Sequence, residues 1–318
     1  MNRVFLAALA GLLSLAAQAQ SWPTKPIRLV VPFAPGGTSS IVARAVGAEM
    51  EKGLGQPIII DNKPGGGGNV AMQDVANAEP DGYTLIIGHL GTLAVNPFMF
   101  DKLPFDTNRD FAAVSLLAKV PNIFVVHADV AAKDLREFVV LVKQQPGKLF
   151  YGSAGNGSAG HLAIEYLKLV AGIDIVHVPY KGTGPNLIDL LAGRTQATAA
   201  GTPPLMPHVK AGKLRAIAVG SKHLASLPGV ATVAEQGYPG FETTQWYGLN
   251  APAKVPAAII KRLADEAAKA AKQPSVAERF AVDDAEPVGS TPEEYAAFIA
   301  AEQKRWGEVV RRAGIKAN

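Results

Sequence analysis

The sequence predicts an α/β protein in which short apolar strands alternate with amphipathic helices, building a mostly parallel sheet covered on both faces. Three observations carry that prediction. Apolar residues make up 48% of the 318 and charged residues only 18%, below the ~25% of an average globular chain, so a large core can be built. Strand-like and helix-like segments take turns along nearly the whole chain. The 32 glycines and 23 prolines fall at the ends of those segments with no fixed period, which excludes a collagen-like or low-complexity chain. At roughly 150 residues per domain, the length suggests two domains.

The first twenty residues stand apart. Arg3 precedes an apolar run from Val4 to Ala17, and Ala17-Gln18-Ala19 follows. The run is too short to span a ~30 Å hydrocarbon core and ends on a small-x-small site, so residues 1–19 read as a cleaved secretory signal. Ile27 to Pro32 is then a strand, Ser39 to Lys52 a helix with Ile41, Val42, Ala45 and Val46 on one face, and Pro57 to Asp61 a second strand. Gly65 to Gly68 reads as a sharp or mobile turn before a short helix from Asn69, and Thr84 to Gly88 is a third strand. A second series starts near Val120. It has strands at Asn122–His127, Lys148–Gly152, Ile173–Pro179, Thr195–Ala200 and Lys213–Val219, with helices at Lys133–Gln145, Ser158–Ala171 and Thr183–Ala192. One more apolar run, Tyr247 to Ala251, precedes a mainly helical tail. In that tail Thr291-Pro292-Glu293-Glu294 has the chemistry of a capping box, and Tyr295, Phe298, Ile299, Trp306, Val309 and Val310 form the stripe that follows, ending near Gly314.

Absences narrow the chemistry. With no cysteine, disulfides, cysteine-zinc sites, iron–sulfur clusters and thiol catalysis are excluded together. A net charge of +4 without runs of Lys or Arg offers no footprint for nucleic acid. The six histidines form no metal-binding pair spacing, and no serine sits in a G-x-S-x-G elbow. Gly155 to Gly160 spells G-x-G-x-x-G, but the next strand ends in Pro179-Tyr180-Lys181-Gly182 with no acid for a ribose, so no dinucleotide cofactor is expected. What remains is a loop of free N–H groups at a helix start, suited to an anion. Phe33 to Ser40 has the same construction, and two such loops facing one another would grip a carboxylate-bearing ligand. His161 and Glu165 are expected to pair at i,i+4, and the adjacent Asp283 and Asp284 to be solvated.

Several motifs occur in order: Trp22-Pro23-x-x-Pro26-Ile27, Pro32 to Thr38, Pro80-Asp81-Gly82-Tyr83-Thr84, Gly155-Asn156-Gly157-Ser158, Pro179 to Gly182, Gly212-Lys213-Leu214-Arg215, Ala234-Glu235-x-Gly237-x-Pro239-Gly240 and Trp246-Tyr247-Gly248. With them the chain resembles the Bug receptors, the extracytoplasmic solute-binding proteins of tripartite tricarboxylate transporters, along essentially its mature length. The resemblance implies a type II periplasmic-binding-protein fold, with lobe 1 formed by residues 20–120 and 241–318 and lobe 2 by 121–240. It implies a cleft that holds a small dicarboxylate or aromatic carboxylate through backbone N–H groups, hydroxyls and water. The residues it places there are Phe33, Gly36, Gly37, Thr38, Ser39 and Ser40 from one lobe, and Ser153, Gly155, Asn156, Gly157, Ser158, His161, Tyr180, Gly182 and Thr183 from the other, with Thr92 and Thr202, in an expected Gly201-Thr202 turn, beside them. It further implies a monomeric periplasmic receptor without cofactor or metal, served by large and small integral-membrane subunits. Ser40 stands where the family often has Asp, and no acid ends the strand before Gly201, so a ligand without an ammonium group is expected. Two other readings compete: a secreted α/β enzyme using His161 as base with Ser158 or Ser153 as nucleophile, and a ligand-presenting signalling adaptor.

Overall fold

A computed structural model describes residues 22–316, so the signal expected at residues 1–19 lies outside the described residues. In chain order the elements are β1 (Ile27–Val31), α1 (Thr38–Leu54), β2 (Ile58–Asn62), α2 (Asn69–Ala76), β3 (Thr84–His89), a π-helical turn (Leu90–Val95) and α3 (Asn96–Met99). Then come β4 (Phe111–His127), α4 (Leu135–Gln144), β5 (Phe150–Ser153), α5 (Ala159–Ala171), β6 (Val176–Pro179), α6 (Thr183–Leu191), β7 (Ala197–Gly201), α7 (Thr202–Lys210) and β8 (Leu214–Val219). The chain finishes with β9 (Thr244–Pro252), α8 (Ala257–Ala271), α9 (Pro274–Ala281), β10 (Glu286–Pro287) and α10 (Pro292–Ala313). Among the described residues no helix is long and apolar enough to cross a membrane.

The strands join in the order β2-β1-β3-β9-β4-β7-β5-β6, with β8 and β10 also on β4. β1 pairs parallel with β2 and β3, and β5 pairs parallel with β6 and β7, as alternating strands and helices require. The sheet is nevertheless mixed rather than mostly parallel. β4 and β9 run antiparallel to each other and to their other neighbours. β4 is also a single 17-residue strand, whereas the sequence pattern marked only its last six residues. Its first part, through Pro121, pairs with β9, and from Asn122 onward it pairs with β7 and β8, so this one strand joins two halves of the sheet.

Each half carries helices on both faces, giving four cores. The C-terminal helix closes one of them as its sequence requires. Thr291 Oγ1 accepts the Glu294 N–H at 3.2 Å, a Glu294 carboxylate oxygen accepts the Thr291 N–H at 2.9 Å, and Tyr295, Ile299, Trp306 and Val310 are buried. Three sequence expectations fail here. Strand β6 starts at Val176, not Ile173, because Ile173 and Ile175 are drawn into the core below it. The run after Gly201 is the helix α7 rather than a turn. Asp283 and Asp284 are not simply solvated: Asp283 is only 4% exposed and pairs with Arg279 at 2.9 Å, while the Asp284 carboxylate accepts the N–H groups of Ala225 and Ser226 at 3.0 and 3.1 Å.

Gly248 on β9 lies under Tyr295, where an added Cβ would come within 2.2 Å of the phenol ring. Gly248→Ala should therefore destabilise the protein by about 1–3 kcal/mol in urea unfolding through overpacking. A variant as stable as the parent would refute this account of how α10 seats on the sheet.

Candidate functional site

Where the halves meet, a small cavity is lined by Phe33, Gly37, Thr38, Ser39, His89, Leu90, Ala154, Ser158, Ala159, Gly160, Thr183, Ala199, Ala200, Gln245, Trp246 and Tyr247. About 30 Å³ of it is open to the centre of a water-sized sphere, room for a few waters or the carboxylate end of a small ligand. No Asp, Glu, Lys or Arg is among these residues. Its polarity comes from helix starts. Gly37 precedes α1 and Gly182 precedes α6, neither supplies a side-chain cap, and neither helix has an acid in its first turn. Their leading N–H groups and the positive ends of two dipoles are thus unneutralised by side chains. The two helix starts are close: a Cβ on Gly37 would stand 3.4 Å from Thr183 Oγ1. A third uncapped helix, α7, begins beside them, where a Cβ on Gly201 would stand 2.6 Å from Thr38 Oγ1.

Part of the lining is aromatic. The ring centroids of Phe33 and His89 are 4.7 Å apart, and those of His89 and Tyr247 6.4 Å. Burial alone pushes the His89 pKa down to about 3, so the ring is neutral at physiological pH. Its Nδ1 accepts the Gly91 N–H at 2.8 Å, which assigns the proton to Nε2. The hydroxyl of Tyr247, whose pKa burial raises, donates to Gln245 Oε1, and Gln245 Nε2 donates to Asn122 Oδ1 at 2.6 Å. Thr38 sits beside the Tyr247 hydroxyl, yet its Oγ1 makes no hydrogen bond of acceptable geometry; it and His89 Nε2 are buried polar atoms without partners.

Of the residues singled out from sequence, Phe33, Gly37, Thr38, Ser39, Ser158 and Thr183 line this cavity. Gly36 and Gly182 lie in the seam beside it, against Gly184 and Ala34. The rest are turned to other tasks. Ser40 Oγ accepts from Asn62 Nδ2 at 2.9 Å, and Thr92 braces the π-helical turn, its Oγ1 accepting the His89 N–H at 3.2 Å. Ser153 Oγ bonds His177 Nε2 at 2.7 Å and accepts the Gly155 N–H at 3.0 Å; Gly157 donates to His161 Nδ1 at 3.2 Å. The Tyr180 hydroxyl donates to Asp189 at 2.7 Å, and Tyr180 does not line the cavity. Lys181 is exposed, and Thr202 donates to the Asp283 carbonyl.

Asn156 and His161 face a second, more open cavity with Glu165, Lys168 and His177. Glu165 there accepts from Tyr151 at 2.6 Å and from Lys168 at 2.8 Å, so the expected His161–Glu165 pair is not formed. Ser158 Oγ caps the His161 N–H at 3.4 Å and the His161 Nδ1 is taken by Gly157, while Ser153 bonds His177 instead, so neither serine of the enzyme reading is paired with the His161 ring. Sequence reasoning missed His89, Gln245 and Trp246; Trp246 and Tyr247 stood in a quoted motif, but nothing local placed them in the cleft.

A mixed α/β fold with an anion-suited cavity between two sheet halves is that of a solute-binding protein. The family model for the tripartite tricarboxylate transporter family receptor matches residues 42–315, and this chain belongs to that family. It is 34% identical over 300 residues to protein BugT of Bordetella pertussis, covering 94% of this chain and 92% of BugT. Among solved structures, R. palustris Rpa4515 with adipate superposes with a TM-score of 0.90 at 37% identity, covering 93% of this chain and 99% of that one. MatC from Rhodopseudomonas palustris with bound malate gives 0.87 at 35% identity, covering 91% and 100%. These relatives are receptors, and the enzyme reading built on His161 and Ser158 is set aside.

Two buried histidines and a half-buried one couple the fold to pH. Desolvation, with smaller contributions from neighbouring charges at the last two, lowers the pKa from 6.5 to about 3 at His89, about 4 at His161 and about 3 at His177. The unfolded chain therefore takes up protons first as pH falls below about 6.5, and stability present at pH 7 is lost toward pH 4. Urea unfolding at pH 7 and 4.5 should show that fall, with the three ring C–H resonances static between pH 5.5 and 8. Titration of these rings near pH 6.5 in the folded protein would contradict it.

Proposed function

We propose that this chain is a periplasmic receptor that captures a small carboxylate between two lobes, residues 20–120 with 241–318 and residues 121–240, and delivers it to the membrane subunits of a tripartite transporter. The carrying observation is the pairing of the uncapped starts of α1 and α6 across a cavity that holds no charged side chain. Such a site accepts a carboxylate through backbone N–H groups and dipoles, while any acid that could hold an ammonium group is missing. The family and the carboxylates named for its solved relatives support the same ligand class.

The mechanism follows from the crossing strands. Asn122 on β4 and Gln245 on β9 bond where the chain crosses between lobes, and Gln245 also lines the cavity. A ligand that occupies the N–H groups of both lobes stabilises the arrangement in which they meet. The two-lobe form then presents a surface to the membrane subunits that the parted lobes do not.

A thermal-shift screen over mono-, di- and tricarboxylates, aromatic acids and amino acids checks this. At a hundredfold excess over Kd the bound acid should stabilise the protein by about 2.7 kcal/mol and be recovered unchanged. An amino acid binding more tightly than every plain carboxylate, or conversion of the ligand, would overturn the reading.

A further inference from the structure

The cavity wall contains a donor that a carboxylate bound at the helix starts would leave unused. His89 ends β3 and is fully buried, and its Nε2 has no hydrogen-bond partner. The ring is held firmly. Gly91 donates to Nδ1 at 2.8 Å, Thr92 Oγ1 accepts the His89 N–H at 3.2 Å, and Phe33 packs against the ring at a tilt of 46°, centroids 4.7 Å apart. With Nδ1 occupied as an acceptor, a neutral ring can offer only a proton at Nε2. Gly68 stands on that side of the ring, where a Cβ would be 3.8 Å from Nε2. A buried donor without a partner is costly, and a bound group that brings an acceptor relieves that cost.

We propose that His89 is a specificity-determining residue whose Nε2–H meets a neutral oxygen on the ligand, so that hydroxy- and oxo-carboxylates are preferred to the plain acids of the same length. This rests on the carboxylate reading above. A second carboxylate suits the position less well, because no Lys or Arg lines the cavity here to offset the desolvation of an anion. A hydroxyl or carbonyl oxygen carries no such cost. Loss of that one hydrogen bond discriminates because the plain acid leaves the Nε2–H buried and unpaired.

Titration calorimetry with matched pairs tests the proposal: succinate against malate, glutarate against 2-oxoglutarate, and propionate against lactate. The oxygenated member should bind on the order of tenfold to a hundredfold more tightly. His89→Phe, with its ring but no donor, should abolish the preference, and His89→Gln, whose amide nitrogen reaches the place of Nε2, should retain part of it. Should either variant fail to fold, nitrogen NMR on the unaltered protein reads the same point: Nε2 protonated at pH 7, with its proton shifting on addition of malate and not succinate. Plain acids binding as tightly as their partners, a preference that survives in folded His89→Phe, or a proton on Nδ1 would overturn the proposal alone. Failure of every acid to bind would overturn the carboxylate reading and this inference with it.

Discussion

The site depends on backbone meeting backbone where the halves touch. The Ala34 N–H donates to the Lys181 carbonyl at 2.9 Å, directly from one half to the other. At several points the approach is possible only because a glycine stands there. A Cβ on Gly184 would lie 2.4 Å from the Pro35 carbonyl oxygen, and one on Gly91 would lie 2.3 Å from that of Gly157. Real Cβ atoms do not approach so closely, so alanine at either place would part the halves. Their closeness in turn sets the starts of α1 and α6 opposite each other. From that follows a cavity polarised by dipoles and N–H groups rather than by charged side chains.

Two sets of hydrogen bonds frame this seam. On the cavity side, Tyr247, Gln245 and Asn122 form a chain that links the lining to the point where β4 crosses between halves. Elsewhere, the Asp283–Asp284 turn holds α7 through the Thr202 hydroxyl and the Ala225–Ser226 backbone through the Asp284 carboxylate. Asp284 adopts a φ of 53°, unusual for a residue with a side chain, and that conformation aims its carboxylate at two backbone donors. A polar group that looks solvated in sequence thus serves as a tether once the chain folds.

Much of this was legible in the residues, and what was missed has a physical cause. Strand and helix periodicity located most elements, and the Thr291 capping box located the last helix to the residue, because those signals are local. The first part of β4 escaped because Phe111 to Pro121, apolar but for Ser115 and Lys119, shows no regular alternation; it lies between β9 and β10. For the same reason the sheet was expected to be mostly parallel. The Phe33 to Ser40 loop supplied Gly37, Thr38 and Ser39, and the family resemblance supplied Thr183; all four line the cavity. His89 and Gln245 did not declare themselves, since Gln245 meets its partner Asn122 across 123 residues and His89 matters only once Gly91 has fixed its ring. Tyr180 and Thr202 were drawn off by Asp189 and Asp283, partners that become neighbours only in the folded chain.

The most direct measurement is a crystal structure of this protein with a bound monocarboxylate. The account predicts carboxylate oxygens within hydrogen-bond distance of backbone N–H groups at the starts of α1 and α6, with no Lys or Arg side chain touching them. A carboxylate paired with a cationic side chain, or bound away from the Gly37–Thr183 approach, would contradict it.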